Sequence, residues 1–186
     1  MSGLRITGGE FRGRKIRIPA HDLRPTSERA RQAFFNIVAL DVPGSRFLDL
    51  FAGSGIFSLE ALSRGAASAV AVEQLPKAAE TLSRLAIEWS LNLQVIEGDV
   101  FPALKQLGWG EPVDLIYADP PYNFERYQVL LEKLDAFAAL ASGATVAIEH
   151  RMRTEPFRTD GLTRLQFIRT ASYGEVAFSL FEAGTS

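Results

Sequence analysis

Phe47-Leu48-Asp49-Leu50-Phe51-Ala52-Gly53-Ser54-Gly55 is the stretch on which the fold turns. Arg46–Leu50 reads as a short apolar strand, and the glycines after it mark the junction between that strand and a first crossover helix. Glycines at such a junction let the backbone approach a ligand closely, and the helix that follows offers unpaired N–H groups. A nucleotide-like ligand is therefore expected. The G-x-G-x-x-G dinucleotide fingerprint is not met, because Ser58 stands at the third glycine position. Asp49, immediately before the loop, would repel a pyrophosphate and suits a cationic ligand carrying an amino-acid group or a sulfonium. S-adenosylmethionine is such a ligand.

Beyond this stretch, short apolar runs alternate with longer amphipathic ones. Ala69–Val72, Leu93–Ile96, Val113–Ala118 and Ala144–Glu149 read as further strands, while Pro76–Trp89 and Phe124–Leu140 have helical period. Strands alternating with helices pair in parallel through right-handed crossovers, which predicts a doubly wound α/β sheet. The end of the chain differs. Thr163–Thr170 and Glu175–Glu182 are alternating runs joined by Ala171-Ser172-Tyr173-Gly174, a hairpin that predicts an antiparallel final strand.

Two acids follow successive strands. Glu73 ends the second strand 18 positions after Gly55, close to the spacing at which a carboxylate meets ribose hydroxyls. Asp99 follows the third in Glu97-Gly98-Asp99-Val100, where it would receive an adenine amine. For each acid alone, a solvated helix cap is the competing role.

Asp119-Pro120-Pro121-Tyr122 directly follows the very apolar fourth strand. Two prolines fix an extended turn, so the Asp119 carboxylate and the Pro120 carbonyl can point into one pocket at the carboxyl edge of the sheet. An exocyclic base amine is a poor nucleophile because its lone pair is delocalised into the ring. Two acceptors on its N–H bonds favour a pyramidal nitrogen whose lone pair faces a sulfonium methyl. Tyr122 supplies a planar face for a base taken out of its stack. The competing reading is a Pro-Pro turn with an Asp cap and a core tyrosine.

The N-terminal part is of another kind. Leu4–Thr7 and Arg14–Ile18 read as strands of a hairpin around Gly8-Gly9-Glu10-Phe11-Arg12-Gly13, an appendage holding its arginines outward. Pro19–Pro25 links it to a helix with Thr26 as N-cap and Ala30, Phe34, Ile37 and Val38 as its apolar stripe. The first 31 residues hold eight Arg and Lys against three acids, a local +5 that leaves −7 for the rest of a chain of net charge −2. A basic arm on an acidic body concentrates positive potential where a polyanion can dock; a solvated surface without a partner is the bland alternative.

Composition bounds the chemistry. With 186 residues, 47% of them hydrophobic, the chain can bury a sizeable core. There is no cysteine, and His21 and His150 give no metal-ligand spacing, so no metal is expected. Both histidines and the two tryptophans, Trp89 and Trp109, read as structural or surface residues. No apolar run suits a membrane span and Met1–Arg5 lacks the apolar core of a signal peptide, so a cytoplasmic protein is expected.

These motifs together resemble the S-adenosylmethionine-dependent amino-methyltransferases with an Asp/Asn-Pro-Pro-Tyr/Phe motif, and within them the bacterial 16S rRNA guanine-N2 methyltransferase family, RsmD. The resemblance is carried by Arg5-Ile6-Thr7-Gly8-Gly9 with Arg12-Gly13-Arg14-Lys15, Arg24-Pro25-Thr26-Ser27-Glu28-Arg29 with Phe35-Asn36, Asp49–Gly55, Glu60-Ala61-Leu62-Ser63-Arg64-Gly65 and Asp119–Tyr122, spread over nearly the whole chain. It implies a Rossmann-like, seven-stranded class I methyltransferase sheet over residues 43–186, preceded by a basic hairpin and helix extension over residues 1–42. It implies that Asp49, Phe51, Ala52, Gly53, Ser54, Gly55, Glu73, Asp99 and Val100 hold S-adenosylmethionine, and that Asp119, Pro120, Pro121 and Tyr122 hold the target guanine. Arg5, Arg12, Arg14, Lys15, Arg24, Thr26 and Arg29 would grip 16S rRNA, free or within a partly assembled small subunit. Two alternatives are a DNA adenine-N6 methyltransferase, which normally needs a recognition insertion with no counterpart here, and a catalytically silent RNA-binding assembly factor. A nicotinamide-dependent dehydrogenase is disfavoured by Ser58.

Overall fold

A computed structural model describes residues 4–16, 27–105, 110–121, 123–152 and 157–184. In chain order its elements are β1 (Leu4–Arg5), β2 (Lys15–Ile16), α1 (Glu28–Ile37), β3 (Arg46–Leu50), α2 (Ile56–Ser63), β4 (Ser68–Glu73), α3 (Pro76–Glu88), β5 (Leu93–Glu97), α4 (Val100–Lys105), β6 (Val113–Ala118), α5 (Tyr127–Asp135), β7 (Leu140–Arg151), β8 (Leu165–Tyr173) and β9 (Val176–Ala183). The first two strands pair in a hairpin, and the other seven form one sheet in the order β5-β4-β3-β6-β7-β9-β8. Strands β3 to β7 are parallel, and β9 enters antiparallel between β7 and β8. This is the doubly wound sheet that the alternation of elements predicts, with the antiparallel hairpin predicted from the terminal runs and the Rossmann-like, seven-stranded form that the resemblance implies.

The two faces of the sheet bury separate cores because side chains alternate along each strand. Phe47, Leu115 and Tyr117 face one core, with Phe34, Phe35 and Phe57 of α1 and α2 and Leu82 of α3. Leu48, Leu50, Ile116 and Ala118 face the other, with Leu104 of α4 and Leu130, Leu131 and Leu134 of α5. Strands covered on both faces read as continuous apolar runs, which is why β3 and β6 have the bounds the sequence predicts. Helix α5 is shorter than the periodic stretch 124–140. The amide of Phe124 donates to Pro121 O at 2.8 Å and delays its start, and the Ala136 and Phe137 amides turn back onto Glu132 and Leu134.

The N-terminal pieces do not hang free as an appendage. Ile6, Ile16, Ala30, Phe34, Phe35 and Val38 belong to the same buried cluster as Phe47 and Phe178 of the sheet. Helix α1 is capped by Ser27, whose Oγ accepts from the Ala30 amide at 3.1 Å, in place of the expected Thr26, which lies outside the described residues. Arg31, one of the eight basic residues counted in the first 31, is fully buried. Its Nε donates to Glu60 Oε2 at 2.7 Å and its Nη2 to the Arg5 carbonyl at 2.7 Å. Glu60 of α2 also accepts from Thr7 Oγ1 and from Arg64 Nη2, the latter at 2.7 Å. One buried carboxylate thus ties hairpin, α1 and α2 together. At Gly9, φ is 75° and a Cβ would meet the Ser63 carbonyl oxygen at 1.7 Å, so only glycine lets the hairpin lie on the end of α2.

Candidate active site

The carboxyl ends of β5, β4, β3 and β6 are stitched into one rim by main-chain bonds. Asp49 pairs with Tyr117 and Leu50 with Ala118 in parallel register, and the Asp119 amide then donates to the Leu50 carbonyl at 3.2 Å. On the other side of β3, the Ala52 amide donates to Val72 O at 2.9 Å, and beyond it the Gly98 amide to Glu73 O at 3.0 Å. The glycine loop and the Asp119-Pro120-Pro121 turn are therefore neighbours. Asp119 is half-buried, Pro120 buried and Pro121 exposed; Tyr122 lies outside the described residues.

The loop itself is bent by positive φ at Phe51 (63°), Gly53 (55°) and Gly55 (70°). Gly55 precedes the first turn of α2, and a Cβ there would meet Leu82 Cδ1 at 2.3 Å. Ser54 Oγ accepts from the Ile56 amide at 3.3 Å, beside the first turn of that helix. Glu73 accepts from the Gly53 amide at 2.6 Å with one oxygen and from the Leu75 amide at 2.7 Å with the other. It shapes the loop as well as facing it.

Asp49 is buried, and its Oδ2 accepts from both the Ser58 amide (3.0 Å) and the Ser58 hydroxyl (2.7 Å). Ser58, which departs from the dinucleotide fingerprint, is therefore the residue that orients Asp49. Burial pushes the Asp49 carboxyl up to about 7, against the Ser58 hydrogen bonds that lower it, with Asp119 and Glu73 adding like-charge repulsion. Three carboxylates around one strained loop favour a positively charged guest and disfavour a phosphate. This donor set fits a sulfonium with an ammonium group.

Asp99 is exposed, and its Oδ1 accepts from the Phe101 amide at 2.8 Å, so it caps α4, while Val100 is buried beneath it. Phe51 of the loop is joined by aromatic residues that sequence reasoning missed. Phe124 lies edge-on to Phe51 at 5.4 Å and parallel to Phe101 at 6.4 Å, and Arg126 covers Phe101 at 4.0 Å. Phe51 belongs to the glycine-loop stretch and is expected there; Phe101, Phe124 and Arg126 carry no motif of their own, and only the fold brings them to it.

The basic residues divide differently. Arg5 stands 3.9 Å from Glu28, and Arg12, Arg14, Lys15 and Arg29 are exposed; Arg24 and Thr26 lie outside the described residues. The hairpin turn rests on Ser63 at the end of α2, where the Glu10 amide donates to Ser63 O at 2.8 Å. Arg14 lies over Phe11 at 4.8 Å and over Trp89, at the end of α3, at 5.0 Å. The turn thus sits at the opposite rim of the sheet, about 12 Å from the glycine loop by the length of α2.

With this geometry in place, comparison with known proteins is decisive. A family model described as "Conserved hypothetical protein 95" matches residues 4–182. The chain is 32% identical over 181 residues to "Ribosomal RNA small subunit methyltransferase D" of Escherichia coli K12, across 96% of this chain and 89% of the relative. The chain belongs to this family. "Putative rRNA methyltransferase YlbH" of Bacillus subtilis is 31% identical over 183 residues, 96% of this chain and 98% of that one. Among solved structures, a "Putative methyltransferase yhhF from Escherichia coli" superposes with a TM-score of 0.86 and 28% identity, covering 100% of both chains.

Proposed function

We propose that this chain transfers the methyl group of S-adenosylmethionine to the exocyclic N2 of a guanine in small-subunit ribosomal RNA. The observation that carries the reading is the bond from the Asp119 amide to the Leu50 carbonyl, which sets an amine-clamping turn against a loop suited to a cation. The names of the family's relatives support ribosomal RNA as the substrate.

When bound, S-adenosylmethionine supplies a methyl on an electrophilic sulfonium. The Asp49, Glu73 and Gly53–Gly55 surroundings hold the cationic ligand and exclude phosphate. Asp119 and the Pro120 carbonyl accept the two N–H bonds of the base amine and so free its lone pair for in-line attack. Phe51 and Phe124 wall the pocket against water. No covalent attachment to the protein is needed, and the amine proton leaves after transfer.

The direct test is incubation with methyl-labelled donor and under-methylated small ribosomal subunits, followed by digestion and nucleoside mapping. N2-methylguanosine at one position is the expected product. No label in the subunits, with label in N6-methyladenine when duplex DNA is offered in a parallel incubation or in neither substrate, would refute the assignment.

A further inference from the structure

A second carboxylate stands at the catalytic rim beside Asp119. Ala118 of β6 pairs with Ile148 of β7 in parallel register, so Asp119 and Glu149 are the next residues on neighbouring strands. One pair further back, Tyr117 and Ala147 face the core under α1 and α2, and alternation along β7 puts Glu149 on that same side; Asp119, just past the end of β6, acts by like charge on Asp49, the neighbour of Tyr117 in β3. Glu149 is 6% exposed and accepts from the Tyr117 hydroxyl at 2.6 Å. That phenol is clamped in turn, with its ring stacked on Phe57 at 3.8 Å and against Phe34 at 4.8 Å. Tyr127 of α5 responds to both acids: burial raises its phenol pKa, and the charges of Asp119 and Glu149 raise it further.

A carboxylate is a costly residue to bury, and an apolar isostere is often as good or better for stability. The next residue, His150, has its ring nitrogens bonded to Ser179 Oγ and the Arg151 carbonyl, both at 2.8 Å. Glu149 is aligned with the residue that handles the base. Guanine carries a hydrogen on N1, next to its amine, whereas adenine carries a lone pair on N1 next to its own.

We propose that Glu149 is the specificity-determining acceptor for the N1–H of the target guanine, with Tyr117 as the residue that positions it. This rests on the guanine-N2 reading above. Once Asp119 and the Pro120 carbonyl hold the amine, N1–H is the adjacent donor on the same edge, and a fixed carboxylate satisfies it. Adenine would turn a lone pair toward that carboxylate, so the same group that accepts guanine repels adenine.

The test compares kcat/KM on ribosomal RNA carrying guanine or 2-aminopurine at the target position, the latter keeping the 2-amino group but lacking the N1 hydrogen. The parent should prefer guanine by about 10- to 100-fold, the range of a hydrogen bond to a charged group. In Glu149→Gln the preference should collapse toward unity, because an amide accepts from N1–H or donates to an unprotonated N1. Tyr117→Phe should lower the preference about 3-fold or more by loosening the carboxylate. S-adenosylhomocysteine affinity at the parent value reports an intact fold. A parent-like preference in folded Glu149→Gln overturns the proposal; if that variant does not fold, a parent-like preference in Tyr117→Phe does so. A parent enzyme that makes no N2-methylguanosine defeats the underlying reading instead.

Discussion

The guanidinium of Arg31 and the carboxylate of Glu60 meet at 2.7 Å with neither side chain exposed to solvent. Removing one partner strands the other's charge in the core. Glu60→Ala should cost about 3–5 kcal/mol, seen as a lower denaturant midpoint at unchanged m value, while Arg31→Met with Glu60→Leu should recover most of the loss. A double variant as unstable as the single one would show that the bonds of Glu60 to Thr7 and Arg64, not its pairing with Arg31, carry the stability.

The proposed role of Asp119 as acceptor for the base amine predicts that Asp119→Ala lowers kcat by about 10²–10³-fold and leaves S-adenosylhomocysteine affinity near the parent value. Equal loss in both measurements would place Asp119 in the cofactor pocket.

The raised pKa of Asp49, about 7, gives a pH signature. Below that value the carboxyl is protonated and its attraction for a sulfonium is lost; above it the charge is present. S-adenosylmethionine affinity should therefore rise through pH 7 relative to that of S-adenosylhomocysteine, and Asp49→Asn should flatten the ratio. Folding has the opposite sign. The native state holds a proton that the unfolded chain has released, so this group's contribution to stability falls as pH rises from about 4 to about 7. Calorimetric melts of parent and Asp49→Asn over that window would show it.

Neutralising Arg12, Arg14 and Lys15 together should reduce the slope of log K for RNA binding against log salt by about 2–3, with the glycine-loop affinity for S-adenosylhomocysteine unaffected. An unchanged slope would remove the hairpin from the RNA interface.

Much of this fold is legible in the sequence because its strands are covered on both faces. Arg46–Leu50 and Val113–Ala118 are bounded by polar or turn residues and apolar within, so their limits survive into the structure. The glycine loop is legible for a similar reason, since glycines after an apolar strand mark the sharp turn that the positive φ angles display. What depends on register is not. Glu149 looks like the end of any strand until Ala118 is paired with Ile148, and Ser58 looks like a failed fingerprint until its hydroxyl is found on Asp49. Charge counting failed at Arg31 because composition does not distinguish a solvated cation from one buried against Glu60. Asp99 shows the reverse: the ordinary capping role that competes with ligand binding is the one its hydrogen bond displays.

The seating of the hairpin turn on Ser63 carries a consequence of scale. A five-residue parallel strand such as β3 is about 16 Å long, so Arg14 and Asp119 stand on opposite sides of the molecule's thickness. A free nucleotide is shorter than that gap. A polynucleotide in contact with both must span the flank of the protein, and the molecule would then act as a caliper that reads the extent of its substrate.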